Sequence, residues 1–205
     1  MLTRRSLFAL PLLAAAQTPK NPGRIRVTDV KVVPLKLVKD LGSVEPAWNP
    51  GSQMAIRVGG GSFVEIHTSE GITGIGPGMD PALLPAVKAQ LVGKDPFDTE
   101  QHMARLRYYA AGTSYRGAAC VDVALWDVIG KACGQPLYKL WGGAKEKVPA
   151  YASMIKLGTP EERAALAGRL AAEGWKAIKL RLHHESMRED LRTVELVQPQ
   201  LDRLP

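Results

Sequence analysis

The carboxyl-terminal part of the chain, residues 148–205, alternates short apolar runs with stretches of helical periodicity. Residues 148–153 predict a strand, and a capping box at residues 159–162, with proline at the first helical position, predicts the start of a helix. Residues 175–182 predict a second strand, and a second capping box from Ser186 predicts another helix. Strand, helix, strand and helix joined by short links indicate parallel βα units.

Residues 24–147 have a different pattern, which predicts an α+β arrangement. Two-residue alternation of apolar and polar side chains predicts strands at residues 25–33, 54–58, 63–68 and 72–76, with a loop at 41–51. The short turn before the last strand contains glycine, so these strands are expected to form a small antiparallel meander. Helical periodicity then predicts helices at about residues 80–93, 99–109 and 115–132.

Composition excludes several classes of protein. The 205 residues include 27 basic and 20 acidic side chains, 45% are hydrophobic and 23% charged, which is ordinary for a folded chain. No apolar run reaches the roughly 18–20 residues of a membrane span. Basic residues are not clustered with stacking aromatics, so no nucleic-acid partner is expected. Cys120 and Cys133 are predicted about 20 Å apart on one helix, and are therefore expected to be buried thiols rather than a disulfide.

The predicted strand at residues 175–182 carries two cations on one face. Because alternate side chains point to opposite faces, Ile178, Leu180 and Leu182 form an apolar face, and Lys179 and Arg181 project from the other. In a closed parallel barrel that second face points into the lumen, where two cations require a negatively charged partner such as an anionic substrate. The alternative is an exposed edge strand whose Lys and Arg are solvated.

Four histidines complete the set of candidate polar residues. His183 and His184 follow the cationic strand, and because adjacent side chains point to opposite sides, they predict a surface loop rather than a paired site. His67 is expected to be solvated beside Glu65 on the polar face of a hairpin. His102 lies on a predicted helix, and the sequence shows no partner for it.

Five motifs occur in an order and spacing that resemble the mandelate racemase/muconate lactonizing branch of the enolase superfamily. They are GITGIG at 71–76, ALWDVIGKA at 124–132, PLYKLWGG at 136–143, VPAYAS at 148–153 and GWKAIKLR at 174–181. Each is weak alone, but their combination is specific, and the resemblance extends from Ile25 to about Leu196. Asp127 belongs to the second motif, and a structural role, in capping or ion pairing, is expected for it.

The resemblance implies an α+β capping domain at residues 24–147, joined to the first βα units of an incomplete TIM-like (β/α) barrel at residues 148–205. Loops of the cap, at about residues 41–53 and 76–80, would close over the substrate. Family chemistry is Mg²⁺-assisted abstraction of the proton α to a carboxylate. The resemblance therefore implies an enzyme, either a lyase or an isomerase, that acts on a small carboxylate substrate.

The cationic strand departs from the family motif at one position. The family has Lys-x-Lys, in which the second lysine is commonly the base and the first assists at the substrate carboxylate. Lys179 matches the first position, but Arg181 stands at the second. A guanidinium keeps its proton at ordinary pH and binds carboxylates well, so both residues are candidate catalytic residues that assist at the carboxylate. A base from the opposite side of the barrel then favours dehydration of an acid sugar or hydroxy acid over racemisation.

Length limits what this chain is expected to do. A complete barrel of this kind takes about 250 residues, whereas residues 148–205 hold about two of its eight βα units. The family's Mg²⁺ ligands are acidic residues on later strands, so Mg²⁺ is expected for the complete fold and no metal ligand is assigned here. Prolines near the end, Pro199 and Pro205, oppose a third strand. The alternative function is therefore a catalytically incompetent fragment or an interaction module, and a homo-oligomer is possible for a complete protein.

Residues 1–16 resemble a twin-arginine export signal. Arg4 and Arg5 precede a short apolar run, and residues 14–16 are the small alanines that a signal peptidase needs. A frayed amphipathic N-terminus is the alternative. We expect export to the periplasm or the exterior, with no membrane contact after the signal is removed. Amino-terminal sequencing of the expressed protein tests this expectation, and an intact amino terminus on cytoplasmic protein would contradict it.

Overall fold

The computed structural model describes residues 25–110, 115–156 and 158–201, which form two compact units. The first unit combines the chain up to Lys36 with Gly60–Glu146, and the second combines Leu37–Gly59 with the chain from Lys147 onward. The predicted export signal at residues 1–16 lies outside the described residues.

The described elements follow one another along the chain as strands, then helices, then alternating short strands and helices. The strands are β1 (Val27–Pro34), β2 (Leu37–Val44), β3 (Met54–Gly59), β4 (Ser62–Thr68), β5 (Thr73–Pro77), β6 (Ala152–Ser153) and β7 (Ile178–Lys179). The helices are α1 (Leu84–Leu91), preceded by a 3₁₀ turn at Pro81–Leu83, α2 (Thr99–Ala110), α3 (Tyr115–Cys133), α4 (Leu137–Leu140), α5 (Pro160–Ala172) and α6 (Met187–Leu201). Among the described residues, no helix combines the length and apolar character required to cross a bilayer.

The first unit is built on an antiparallel sheet with the strand order β1–β4–β5. Its core is a buried cluster in which Val121, Leu125 and Val128 of α3 accompany Val64 and Ile66 of β4. Alternate residues of β4 are buried, because the helices cover only one face of the strand. The predicted order of antiparallel strands followed by helices is therefore confirmed for this unit. The prediction of a single meander is wrong, because the strand predicted at residues 54–58 pairs in a separate two-stranded sheet.

Glycines allow α3 to approach β5 closely. A Cβ atom on Gly74 would overlap the carbonyl oxygen of Ala124, and one on Gly76 would overlap the carbonyl oxygen of Cys120. The approach is reinforced by Asp127, whose carboxylate accepts a 2.7 Å hydrogen bond from the backbone N–H of Ile75. The predicted structural role of Asp127 is confirmed. Glycines at positions 74 and 76 of the motif at residues 71–76 are explained by the close packing of α3 against β5.

A buried histidine of the first unit has hydrogen-bonding partners that the sequence does not indicate. His102 is fully buried, with Nε2 2.7 Å from the carbonyl oxygen of Asp95 and Nδ1 3.3 Å from the side-chain nitrogen of Gln90.

Cys120 is buried as expected, but Cys133 is exposed, so the prediction of two buried thiols is wrong for the last residue of α3.

The second unit begins with a hairpin formed by β2 and β3. The predicted loop at residues 41–51 is wrong at its start, because β2 continues to Val44 across an irregular register position at which Gly42 has φ of 86°. The hairpin belongs to this unit because its tip is hydrogen-bonded to the segment after β6. The backbone N–H of Ala47 donates to the carbonyl oxygen of Ile155 at 2.9 Å, and Pro46 forms a β-bridge with Lys156.

The remainder of the second unit contains two βα segments. Strands β6 and β7 pair in parallel, which confirms the predicted parallel pairing, although each strand is shorter than expected. Helix α5 begins with the predicted capping box, in which the Thr159 hydroxyl accepts from the backbone N–H of Glu162 and the Glu162 carboxylate accepts from the backbone N–H of Thr159. Helix α6 continues to Leu201 with Pro199 inside it, so this segment is helical and not a third strand.

The close approach of α3 to β5 predicts that Gly76→Ala destabilises the protein. The added methyl would overlap a backbone carbonyl that cannot rotate away, so we expect a loss of about 1–3 kcal/mol or more in the free energy of unfolding. Ile75→Ala is the matched control, because Ile75 lies on the same strand and is 48% exposed. Urea unfolding followed by circular dichroism measures both variants, and an equal effect of the two substitutions would contradict the packing argument.

Candidate functional site

One face of the β6–β7 pair carries the polar residues of the candidate site. Ala152 pairs with Ile178 and Ser153 pairs with Lys179. Ala152 is buried and Ile178 packs against the core of the second unit, whereas Ser153 and Lys179 are exposed. Registered neighbours in a sheet point to the same side, so the Ser153 hydroxyl and the Lys179 ammonium share the face that turns away from the core.

Lys179 lies beside an aromatic ring on the same face. Its Nζ is 5.8 Å from the centroid of the ring of Tyr151, the residue immediately before β6. This is a cation–π distance at the outer limit of useful attraction. Within the described residues Lys179 has no carboxylate partner, so its charge stays available to a ligand.

Arg181 continues the same face two residues further along. Leu180 packs against the core, which directs the flanking Lys179 and Arg181 to the opposite side. The Arg181 guanidinium stacks on Trp48, with Cζ 4.5 Å from the ring centroid, and its Nε is buried without a hydrogen-bond partner. The two predicted catalytic residues are therefore found on one face, and no described carboxylate pairs with either of them.

Trp48 is held over the site by the tip of the β2–β3 hairpin. The hydrogen bond between Ala47 and Ile155 fixes the residue before Trp48. Trp48 itself lies within a turn that is closed by a 3.0 Å hydrogen bond from the Asn49 N–H to the Pro46 carbonyl oxygen. The Glu45 carboxylate accepts a 2.6 Å hydrogen bond from the backbone N–H of Gly51, which narrows the loop further. The hairpin tip therefore positions an aromatic ring against the second cation.

The segment after β7 brings together four polar side chains. The Asp190 carboxylate, in the first turn of α6, accepts hydrogen bonds from the backbone N–H groups of His183 and His184 at 3.1 and 3.2 Å, and lies 2.7 Å from the Nδ1 of His184. The imidazoles of His183 and His184 have ring centroids 4.6 Å apart. Arg163 of α5 contacts the Nε2 of His183 at 3.3 Å. The prediction that the adjacent histidines cannot form a paired site is wrong, because the chain leaves the extended conformation here.

Burial and neighbouring charges shift the ionisation of this cluster. Burial lowers the pKa of His183, and the nearby Arg163 and His184 lower it further, against the opposing effect of Asp190 and Glu45. Burial alone would raise the pKa of Asp190, but the hydrogen bonds from His184 and from the two backbone N–H groups hold it below its usual value. The arrangement thus favours a neutral His183 beside an ionised Asp190.

Mg²⁺ does not fit the side chains present in the described part of the chain. Mg²⁺ prefers oxygen ligands in octahedral geometry, supplied mainly by carboxylates and water. The one group of three or more potential ligands within coordinating distance among residues 25–110, 115–156 and 158–201 is His183, His184 and Asp190, which offers two nitrogens and one oxygen. No step of a reaction is therefore assigned to Mg²⁺ on these residues.

Sequence reasoning missed several residues of the site. The alternation of Tyr151, Ala152, Ser153 and Met154 could have identified Tyr151 and Ser153 as neighbours of Lys179, once the parallel register was assumed. Nothing local predicts that Trp48 reaches Arg181.

His67, expected to be solvated, instead forms a 2.9 Å contact with the Glu65 carboxylate in the first unit.

Comparison with known proteins gives a consistent family. The N-terminal domain of the mandelate racemase/muconate lactonizing enzyme family matches residues 43–142. The arabinonate dehydratase of Saccharolobus solfataricus is 33% identical over 152 residues, which cover 65% of this chain and 40% of that protein. The D-galactonate dehydratase of Pectobacterium atrosepticum is 35% identical over 130 residues, which cover 58% of this chain and 34% of that protein.

A solved structure extends the match into the second unit. The D-glucarate dehydratase of Agrobacterium tumefaciens, crystallised with magnesium, superposes with a TM-score of 0.70 and 27% identity over 86% of this chain and 51% of that one. The chain spans about 40% or less of the length of the two curated relatives. Sequence and structure agree on one assignment: residues 43–142 belong to the N-terminal domain of the mandelate racemase/muconate lactonizing enzyme family, and solved structures similar to the chain are members of the enolase superfamily.

Proposed function

We propose that this chain supplies the substrate-carboxylate site of an acid-sugar dehydratase. The observation that carries the proposal is the pair of cations, Lys179 and Arg181, on one face of the β6–β7 segment without a described carboxylate partner. Two like charges held on one face repel each other, and a substrate carboxylate between them would offset this repulsion and pair with both. The named functions of two relatives, arabinonate and D-galactonate dehydratase, support an acid sugar as that substrate.

The roles of the two cations differ because their chemistries differ. A guanidinium offers several N–H donors in a fixed plane, suited to two parallel hydrogen bonds with a carboxylate. Arg181, stacked on Trp48, is proposed to orient the substrate carboxylate. Lys179 adds a compact positive charge, and the adjacent hydroxyls of Ser153 and Tyr151 can hydrogen-bond to the hydroxyl groups of a sugar acid.

Binding the carboxylate between two cations also prepares the α-carbon for reaction. When a base on the opposite side of the barrel takes the α-proton, the electron pair of the C–H bond moves toward the carboxylate, whose oxygens gain negative charge. Positive groups already aimed at those oxygens stabilise this charge more in the transition state than in the ground state. Loss of the β-hydroxyl as water, with a proton from an acid, then completes dehydration. In a complete family fold, a bound Mg²⁺ would supply Lewis-acid stabilisation of the same charge.

The second unit is interpreted as the first two βα segments of the family's (β/α) barrel, with Lys179 and Arg181 directed to its lumen. We also propose that the protein is exported through a twin-arginine route. An incompetent fragment or an interaction module is the alternative function, and it predicts no specific affinity of the cationic face for carboxylates. Assembly into a homo-oligomer is proposed only for a complete protein.

Carboxylate binding by Lys179 and Arg181 can be measured directly on the chain. We expect D-galactonate to perturb the NMR resonances of Ser153, Lys179 and Arg181, and galactitol, which lacks the carboxylate, to leave them unchanged. Lys179→Met and Arg181→Met should each weaken galactonate binding by about tenfold, because each removes a charge-assisted hydrogen bond. Lys176→Met is the matched control, since it removes an exposed lysine three residues before Lys179.

The outcomes separate the two functions. Weaker binding in the Lys179 and Arg181 variants, with unchanged binding in the Lys176 variant, supports the carboxylate site. An equal loss in all three variants would indicate nonspecific charge attraction, and absence of galactonate binding by the wild-type chain would favour the interaction module.

The stacking of Trp48 on Arg181 predicts a local effect on the hairpin tip. A cation–π contact of this kind contributes about 1 kcal/mol, so Trp48→Ala should speed amide hydrogen exchange at Ala47 about fivefold. The N–H of Ala47 reports on the tip because it is hydrogen-bonded to Ile155. Trp48→Phe should retain most of the protection, and exchange at Val64 in the first unit should not change. Unaltered exchange at Ala47 in the alanine variant would show that Trp48 does not hold the tip.

A further inference from the structure

The cluster after β7 has the composition of a transition-metal site. His183, His184 and Asp190 each offer one ligand atom, and these atoms all lie within 4.8 Å of one another. All three residues are partly buried, and the side chains of His184 and Asp190 are 14% and 20% exposed. Two imidazoles and a carboxylate form a common ligand set for Zn²⁺.

Two of the three side chains, those of His184 and Asp190, are held in position before any metal arrives. Asp190 is fixed by hydrogen bonds from two backbone N–H groups and by the 2.7 Å contact with the Nδ1 of His184. The imidazole of His183 has a buried Nδ1 without a hydrogen-bond partner in the described part of the chain. A buried imidazole nitrogen that no protein group satisfies is an unusual cost, and a bound cation would remove it.

Charges around the cluster both favour and oppose a cation. Asp190 is the carboxylate within the cluster, and the carboxylate of Glu45 acts electrostatically on His183 from the hairpin tip. Arg163 is the opposing charge, 3.3 Å from the Nε2 of His183. Arg163 also donates to the carbonyl oxygens of Lys156 and Gly158 at 3.3 and 3.4 Å, so it keeps two acceptors when a metal draws His183 away.

We propose that His183, His184 and Asp190 bind a Zn²⁺ ion or a similar late first-row divalent cation. Tetrahedral Zn²⁺ with bonds of about 2.0–2.1 Å separates its ligand atoms by about 3.3 Å, so the widest pair has to close by about 1.5 Å. The cation replaces the hydrogen bond between the Nδ1 of His184 and the carboxylate of Asp190, and His184 binds it as a neutral imidazole whose ring proton is on Nε2. With three protein ligands, the fourth position is filled by water.

Metal binding is tested by calorimetry on the purified chain in a Cys133→Ser background, because the exposed thiol of Cys133 would compete for Zn²⁺. We expect a single equivalent of Zn²⁺ to bind with micromolar or tighter affinity, and Mg²⁺ not to compete. His183→Gln and His184→Gln should each weaken binding by about tenfold or more.

His67→Gln is the matched control, because His67 also pairs with a carboxylate but belongs to no group of three described ligands. Its Zn²⁺ affinity should equal that of the parent protein. NMR of the parent protein provides a readout that needs no variant at the cluster: Zn²⁺ should shift the imidazole resonances of His183 and His184 and leave those of His67 unchanged. Absence of stoichiometric binding, or equal weakening by His67→Gln and His183→Gln, would overturn the proposal.

Discussion

The register of one short parallel strand pair determines the character of the second unit. Ala152 is buried, and its partner in the register, Ile178, packs against the core that includes Met154, Ala167 and Val197. A slip of one residue would bury the Lys179 ammonium in that core and expose Ile178, at a desolvation cost that no described carboxylate offsets. The packing of the apolar face therefore determines which side chains of the opposite face are accessible to a ligand.

Arginine at position 181 is consistent with a binding role because of what surrounds it. Its guanidinium lies over the Trp48 ring, where a planar, weakly hydrated cation stacks better than an ammonium. The buried Nε has no partner, so the group retains hydrogen-bonding capacity beyond the stack. A lysine at this position would lose both the planar stacking and the fork of donors. The departure from the family's Lys-x-Lys motif and the presence of Trp48 are therefore two parts of one arrangement.

The sequence predicted the features that depend on near neighbours along the chain. The capping box of α5 requires only Thr159 and Glu162, and the alternation around Lys179 requires only the pleat of a strand. The hairpin tip was missed because it depends on contacts such as Ala47 with Ile155, which no local periodicity encodes. The grouping of Leu37–Gly59 with the second unit follows from the same long-range bonds.

The histidines show where local reasoning ends and tertiary structure begins. Continued alternation would have brought His183 to the same face as Lys179 and Arg181. Instead the Asp190 carboxylate accepts the backbone N–H groups of both His183 and His184, which stops the extended conformation and turns the His183 imidazole toward Arg163. One carboxylate in the first turn of α6 therefore ends the cationic face at Arg181 and creates the imidazole pair beside it. Because the same carboxylate contacts both histidines, the proposed anion site and the proposed cation site follow each other within a few residues of the chain.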